Sequence, residues 1–180
     1  MEYRSIHYWQ YEPDVQEATI LEEAIAFNDS IKSETFLTDV ADFIGAHTGA
    51  KFVLIAILSD DLKKAQSFAF LKDRVILPNM TYALCGTPCD QVVTQRFCYY
   101  PLNVTQIFPD DEELKNQHIE SYLGSMLLSH KNEPLGLIAL MDEKPLANVA
   151  FSEHLILVLS PAIEEELTKL KEESLQTIGL

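Results

Sequence analysis

The chain has 180 residues, the length of one domain, and its 47% hydrophobic and 23% charged residues are close to the average of soluble globular proteins. Its 28 acidic and 13 basic residues give a formal net charge of −15 and a pI near 4.6, which argues against nucleic acid and anionic membranes as partners. No apolar run reaches the roughly 18–20 residues that span a bilayer, and the start, MEYRSIHYWQ, does not resemble a signal peptide. We therefore expect a cytoplasmic protein.

Two helices are predicted in the first fifty residues. Apolar residues spaced three and four apart over 20–27 indicate an amphipathic helix that ends around residues 28–29. A second helix follows, with a buried stripe from Phe36 to Ile44. We expect Ser33 to cap its start.

The next segment predicts the first strands. FVLIAIL at 52–58 is apolar on both faces of the pleat, so this strand should have helices above and below it. After a turn at Asp60, Ser67 to Leu71 predicts the second strand of a hairpin, with Phe68 and Phe70 as a pair. This pattern favours a layered α/β domain over a β-sandwich.

The middle of the chain contains most of the cap and turn signals. Thr87 is expected to cap a short helix whose first position is Pro88 and whose third is Asp90, a variant of the capping box. Residues 97–100 predict a short strand. FPDDEEL at 108–114 predicts another helix, with its acidic residues in a structural role at the positive end.

A hairpin and a long helix are predicted for the last third. SYLGSMLLSH and EPLGLIALMD, on either side of Lys131 and Asn132, indicate the hairpin. From Ser152 onward an apolar stripe indicates a helix that leaves the domain; it consists of Leu155, Leu159, Ile163, Leu167 and Leu170. Pro161 lies in this stripe and should kink or restart the helix, because it lacks a backbone donor.

This order of elements resembles that of GAF domains from bacterial signalling proteins. Four blocks, spread over roughly residues 35–170, are similar to successive blocks of a GAF subgroup found ahead of kinases and cyclases. They are YALCGTPCDQVV at 82–93, YYPLNVTQIFPDDEEL at 99–114, ESYLG at 120–124 and LGLIALMDEKPL at 135–146. The chain departs from the subgroup at SMLLSHKNEPLG, after ESYLG, and at SPAIEEEL near 160–167.

The resemblance implies an α/β (α+β) fold with a GAF/PAS-like antiparallel sheet of about five or six strands and helices on both faces. It implies an N-terminal segment and helix over 1–30, the GAF domain over 31–165 and a C-terminal signalling helix extension over 166–180. It also implies a homodimer through the terminal helices and an output domain that is either fused or separate.

A small-molecule pocket between the sheet and the middle helices is a further implication of the resemblance. We expect the ligand-binding residues in the blocks that frame it: Tyr82, Cys85, Thr87, Cys89, Tyr99 and Tyr122. GAF domains bind cyclic nucleotides, tetrapyrroles, haem or small metabolites, so the ligand and any cofactor remain unknown. The net charge of −15 favours a neutral, aromatic or cationic ligand.

The main alternative to a module that binds a small molecule is a protein that uses cysteine chemistry. Cys89 is expected in the first turn of its helix, where the dipole favours a thiolate and Asp90 opposes it. A thiol-based redox enzyme or sensor would use Cys85, Cys89 or Cys98. Free methionine sulfoxide reductases share the GAF fold, but the residues around these cysteines do not resemble that family's cysteine blocks.

Metal and haem sites find little support in the sequence. The cysteine spacing is not that of structural zinc sites, and no cysteine is followed by histidine, as bilin attachment would favour. A haem ligand would have to be His118 or His130. Because no paired nucleophile and base, phosphate loop or metal motif is present, the leading hypothesis is a non-catalytic sensory or regulatory module. A vestigial dimer scaffold, its pocket filled by its own side chains, is the third hypothesis.

Overall fold

The computed structural model describes residues 11–30 and 32–178, so the first ten residues of the predicted N-terminal segment lie outside it. In the described ranges the helices are α1 (Val15–Asn28), α2 (Phe36–Thr48), α3 (Pro88–Gln95), α4 (Val104–Ile107), α5 (Glu112–Asn116) and α6 (Val149–Ile178). The strands are β1 (Phe52–Leu58), β2 (Lys64–Lys72), β3 (Val75–Ile76), β4 (Thr81–Ala83), β5 (Phe97–Tyr100), β6 (Ser121–Leu128) and β7 (Pro134–Asp142). None of these helices is long and apolar enough to cross a membrane.

All seven strands form one antiparallel sheet. The strand order is β3-β2-β1-β7-β6-β5. Strand β4 also pairs with β2, along the same edge as β3 but at the other end of the strand. The predicted strands are all present. The two short strands β3 and β4 were not predicted, and they raise the strand number above the expected five or six.

Helices α2 and α6 cover one face of the sheet, and α1 packs against α6. The apolar stripe of α2 is buried there as predicted, and Leu155, Leu159, Ile163 and Leu167 of α6 are buried with it. Helix α1 begins with a capping box, in which Asp14 accepts a hydrogen bond from the Glu17 amide and the Glu17 carboxylate accepts one from the Asp14 amide. This cap fixes the start of α1 one residue after Asp14.

One local prediction on this face is wrong, and one alternative of a second is excluded. Ser33 does not cap α2, because Thr35 occupies the cap position and the Ser33 hydroxyl bonds the Thr35 hydroxyl instead, over 3.0 Å. Pro161 does not restart the last helix, since α6 runs without interruption from Val149 to Ile178.

The other face of the sheet is covered by α3, α4 and α5. Strand β1 is buried on both sides, as its sequence predicts. Val53 and Ile55 face the long helices α2 and α6. Phe52 and Leu54 face the short helices α3, α4 and α5. Helices therefore lie on both faces. The short-helix face contains the candidate site.

Candidate functional site

A cavity of about 350 Å³ lies between the sheet and the short helices. The sheet contributes an apolar floor, made by Leu54, Phe70, Tyr122 and Met141. The walls come from β4, from the start of α3 and from the loop that leads into α5. A volume of this size is within the usual range of roughly 300–1,000 Å³ for small-molecule sites.

A β-bulge determines which phenylalanine of β2 reaches this cavity. Ile55 pairs with Ala69 and the next residue, Ala56, pairs with Ser67, so Phe68 is the extra residue of the bulge. Phe68 consequently packs on the side of the long helices, whereas Phe70 lines the cavity. The bulge thus separates two side chains that regular alternation would place on one face.

Two tyrosine hydroxyls converge on one buried thiol at the cavity. Tyr122 and Tyr82 each donate a hydrogen bond to the Cys89 sulfur, over 3.3 and 3.4 Å. Burial raises the pKa of the Cys89 thiol, and the two tyrosine hydrogen bonds only partly counter this. Cys89 is therefore a neutral thiol at pH 7, because burial outweighs its favourable place in the first turn of α3.

Thr87 begins α3 without capping it through its side chain. The Thr87 hydroxyl and the Thr87 amide both donate to the Leu84 carbonyl, over 2.7 and 3.0 Å. The hydroxyl is therefore turned back toward the preceding turn, where Gly86 has a φ of +80°. The predicted capping box with Asp90 is wrong for this reason, although the helix does start at Pro88.

An acidic segment forms the opposite wall. Asp110, Asp111, Glu112 and Glu113 all line the cavity. Asp111 also caps α5, since its Oδ1 accepts hydrogen bonds from the Glu113 and Leu114 amides. Burial raises the pKa of Asp111, and the charges of Glu113 and Glu112 add to the rise, while the two backbone bonds oppose it.

Five of the six residues expected at the site line this cavity, namely Tyr82, Cys85, Thr87, Cys89 and Tyr122. Tyr99 does not. In β5 it alternates with Cys98 and Tyr100, which pack on the cavity face, so Tyr99 packs toward the long helices instead. Strand alternation alone was sufficient to exclude it.

Several lining residues were not predicted. Met80 and Ala83 belong to the segment around β4, which is too short for a periodic signal, and Phe70 depends on the bulge. The acidic wall was assigned only a structural role in the sequence. Its place at the cavity, with Asp111 half-buried, follows from the fold.

The remaining cysteine and histidine candidates do not form one site. Cys85 is exposed at the cavity edge, whereas Cys98 is buried, and burial raises its pKa to about 12. His118 and His130 are both exposed, so neither faces an apolar cavity. In the described part of the chain, no three His, Cys, Asp or Glu residues are grouped as a metal site would require.

No family model matches the sequence, and no curated protein matches it. Solved structures do match its fold. The GAF domain of an Acinetobacter phosphoenolpyruvate-protein phosphotransferase has a TM-score of 0.67 at 11% identity, with 90% of this chain and 99% of that chain covered. The phycocyanobilin-bound GAF domain of a cyanobacterial phytochrome has a TM-score of 0.62 at 14% identity, covering 89% and 98%.

The fold also occurs in an enzyme. The substrate-bound free methionine-R-sulfoxide reductase of Neisseria meningitidis has a TM-score of 0.67 at 13% identity, covering 93% of this chain and 99% of that chain. The architecture and these likenesses together define the class: the chain has a GAF-type fold, as its sequence blocks predicted. Identities this low establish the fold and leave the function to the site.

Proposed function

We propose that this chain is a sensory or regulatory module that binds a small molecule in the cavity beside α3 and α5. The observation that carries the proposal is the cavity itself, about 350 Å³ with an apolar floor and a few polar groups at its walls. Tyr82, Thr87, Cys89 and Tyr122 are the proposed ligand-binding residues, with Cys85 at the edge.

Contacts across the sheet offer a route from the cavity to the last helix. Tyr122 lies in β6, and at the end of the same strand the Leu128 amide donates to the Glu164 carboxylate of α6 over 2.8 Å. Lys171 of α6 also pairs with Asp60, beyond β1, over 2.7 Å. A ligand that shifts β6 would therefore act on α6, and we propose that its part beyond residue 165 belongs to the C-terminal signalling extension over 166–180.

We further propose a homodimer through α1 and α6. These helices pack against each other on the face opposite the cavity, and each leaves a large apolar side chain exposed, Ile25 at 51% and Leu157 at 56%. Dimer contacts on that face leave the cavity accessible. The net charge of −15 continues to disfavour nucleic acid and anionic membranes as partners.

Native mass spectrometry of protein taken directly from its source cells tests ligand binding. We expect an added mass in the wild type and its loss in Met80→Trp, because Met80 lies on the same side of its strand segment as Tyr82, lines the cavity, and would be replaced by a larger side chain. Ala147→Trp is the matched control, because Ala147 is exposed and lies outside the cavity lining, and it should keep the added mass. If the wild type carries no added mass and no compound in a thermal-shift screen stabilises it, the proposal is wrong.

A redox role is the second candidate, and one observation favours it. Cys85 is an exposed thiol at the edge of the cavity, in a fold shared with a sulfoxide reductase. Mass spectrometry after mild peroxide treatment separates the two functions. Stable oxidation confined to Cys85, and absent from Cys85→Ser, would favour the redox role. The scaffold hypothesis has less support, because side chains leave the cavity open.

A further inference from the structure

We infer that the cavity binds an organic cation with an apolar body, held by the Asp111 carboxylate and by the ring of Tyr82. This inference rests on the proposed function, because it names the chemical class of the ligand for the same cavity. Three independent features of the cavity support it: the charge of its lining, the hydrogen bonding of Asp111 and the aromatic composition of its floor.

The charge of the lining is entirely negative. Four carboxylates border the cavity, and the described residues that line it include no lysine, arginine or histidine. Lys115, next to the wall, is paired with Glu112 over 2.8 Å. An anionic ligand would place like charge beside the remaining carboxylates, and such juxtaposition costs several kcal/mol in a binding site.

Asp111 has an acceptor available for a ligand. Both of its backbone hydrogen bonds end on Oδ1, and the described residues provide no hydrogen bond to Oδ2. The carboxylate is also half-buried, and burial is the main cause of its raised pKa. A ligand cation would supply the opposite charge that the protein does not, which favours ionised Asp111.

The charge of Asp111 acts across the cavity on Tyr82 and Cys89, which belong to the cluster that Tyr82, Tyr122 and Cys89 form. Burial is the main cause of the raised pKa values of Tyr82 and Cys89, and the Asp111 charge raises both further. Asp111 and the cluster therefore face the same space. A cation between them would neutralise the carboxylate and contact the Tyr82 ring, since aromatic faces attract organic cations.

The size and polarity of the cavity floor determine what the body of the ligand should be. Leu54, Phe70 and Met141 offer only apolar surface, so the body of the ligand should be apolar or aromatic. The Tyr82 hydroxyl donates to Cys89 in the same region, so its oxygen can accept a hydrogen bond from the ligand's body and its ring adds aromatic surface.

Three probes that share one ring and differ in charge test the inference: 2-phenylethylamine as the cation, 2-phenylethanol as the neutral analogue and phenylacetate as the anion. Dissociation constants come from NMR titration of the full chain, followed at the amides of β4, α3 and α5. In the wild type we expect the amine to bind at least tenfold more tightly than the alcohol, and the anion most weakly.

Asp111→Asn should reduce the preference for the amine over the alcohol to less than threefold without weakening the alcohol. Asparagine keeps the oxygen that caps α5, so the helix start is retained. Glu133→Gln is the control for net charge. Glu133 is exposed at the turn before β7 and outside the cavity lining, and its variant should keep the tenfold preference.

The outcomes separate this inference from the proposed function. If the alcohol or the anion binds as tightly as the amine, or if Asp111→Asn keeps the preference, the cation inference is overturned and the binding module stands. If none of the probes perturbs the cavity amides and the protein from source cells carries no added mass, both fail. An equal loss of preference in Glu133→Gln overturns the role of Asp111.

Discussion

The Tyr122 hydroxyl donates a hydrogen bond to the Cys89 sulfur over 3.3 Å and so joins β6 to the first turn of α3. Both side chains are buried. Because a buried hydrogen bond contributes about 0.5–1.5 kcal/mol, Tyr122→Phe should lower the free energy of unfolding by about that amount.

A double-mutant cycle with Cys89→Ala isolates this contact in chemical denaturation. We expect a coupling of about 0.5 kcal/mol or more, as is usual for residues in direct contact. Strict additivity of the two single variants would show that the hydroxyl and the sulfur do not interact. In Tyr122→Phe the pKa of Cys89 should also rise further, because a hydrogen bond that lowers it is removed.

The Thr87 hydroxyl should matter as a donor to Leu84, with no capping role. Thr87→Val has a similar shape and lacks the hydroxyl, so it should destabilise the chain by about 1 kcal/mol in thermal or chemical unfolding. Thr87→Ser keeps the donor and serves as the control. If Thr87→Asp is clearly more stable than the wild type, a capping acceptor is the better description of this position.

Gly124 allows α3 to approach the sheet closely. A Cβ at this position would lie 2.4 Å from Val92 of α3 and 2.6 Å from the Tyr122 ring, so the packing beside the cavity would have to shift. Gly124→Ala should therefore destabilise the chain by about 1–3 kcal/mol.

Gly45→Ala is the matched control for this prediction. In α2 the added Cβ meets Val53 at 3.5 Å, which is ordinary contact, and alanine is the better helix former by about 1 kcal/mol. We expect Gly45→Ala to be neutral or stabilising in the same denaturation assay. Equal effects of the two substitutions would contradict the close approach at Gly124.

The long elements could be predicted from the sequence, because their periodicity extends over many residues. FVLIAIL at 52–58 is an example, and it is buried on both faces as expected. The stripe of α6 does form a helix, but Leu155, Leu159, Ile163 and Leu167 are buried in the core of the domain, where the sequence predicted a helix that leaves it. The wrong or missing details depend on single contacts. Whether Ser33 or Thr35 begins α2 is decided by one hydroxyl pair, and neither β3 nor β4 is long enough to show alternation.

The sequence predicts which segments form the candidate site, but only some of the residues that line it. The block at 82–93 places Tyr82 and Cys89 in the right wall, because both flank one turn and one helix start. Asp111 enters the site through the fold, since only the packing of α5 over the sheet brings it opposite Tyr82. The bulge at Phe68 likewise depends on pairing between strands, which one strand's sequence does not reveal.

Asp111→Asn should stabilise the chain, and increasingly so as the pH rises. Burial raises the pKa of Asp111 above its ordinary value of 3.8, so folding favours the protonated carboxyl. The contribution of Asp111 to stability is therefore present below pH 3.8 and is lost as the pH rises through the folded-state pKa. Denaturation of both proteins at pH 4 and pH 7 checks this, and a difference that shrinks toward pH 7 would contradict it.

If α6 forms the proposed dimer contact, the exposed side chain of Leu157 should lie in it. Leu157 of α6 is 56% exposed in a single chain, and covering this remaining surface would stabilise the dimer by about 1–2 kcal/mol for each copy. Leu157→Glu should therefore raise the dimer dissociation constant about tenfold or more in sedimentation, with little effect on monomer stability because the side chain is exposed. Ile76→Glu is the control, since Ile76 is 66% exposed on β3, away from the helical face. An unchanged dimer in Leu157→Glu and Ile25→Glu, or dissociation in Ile76→Glu alone, would place the contact elsewhere.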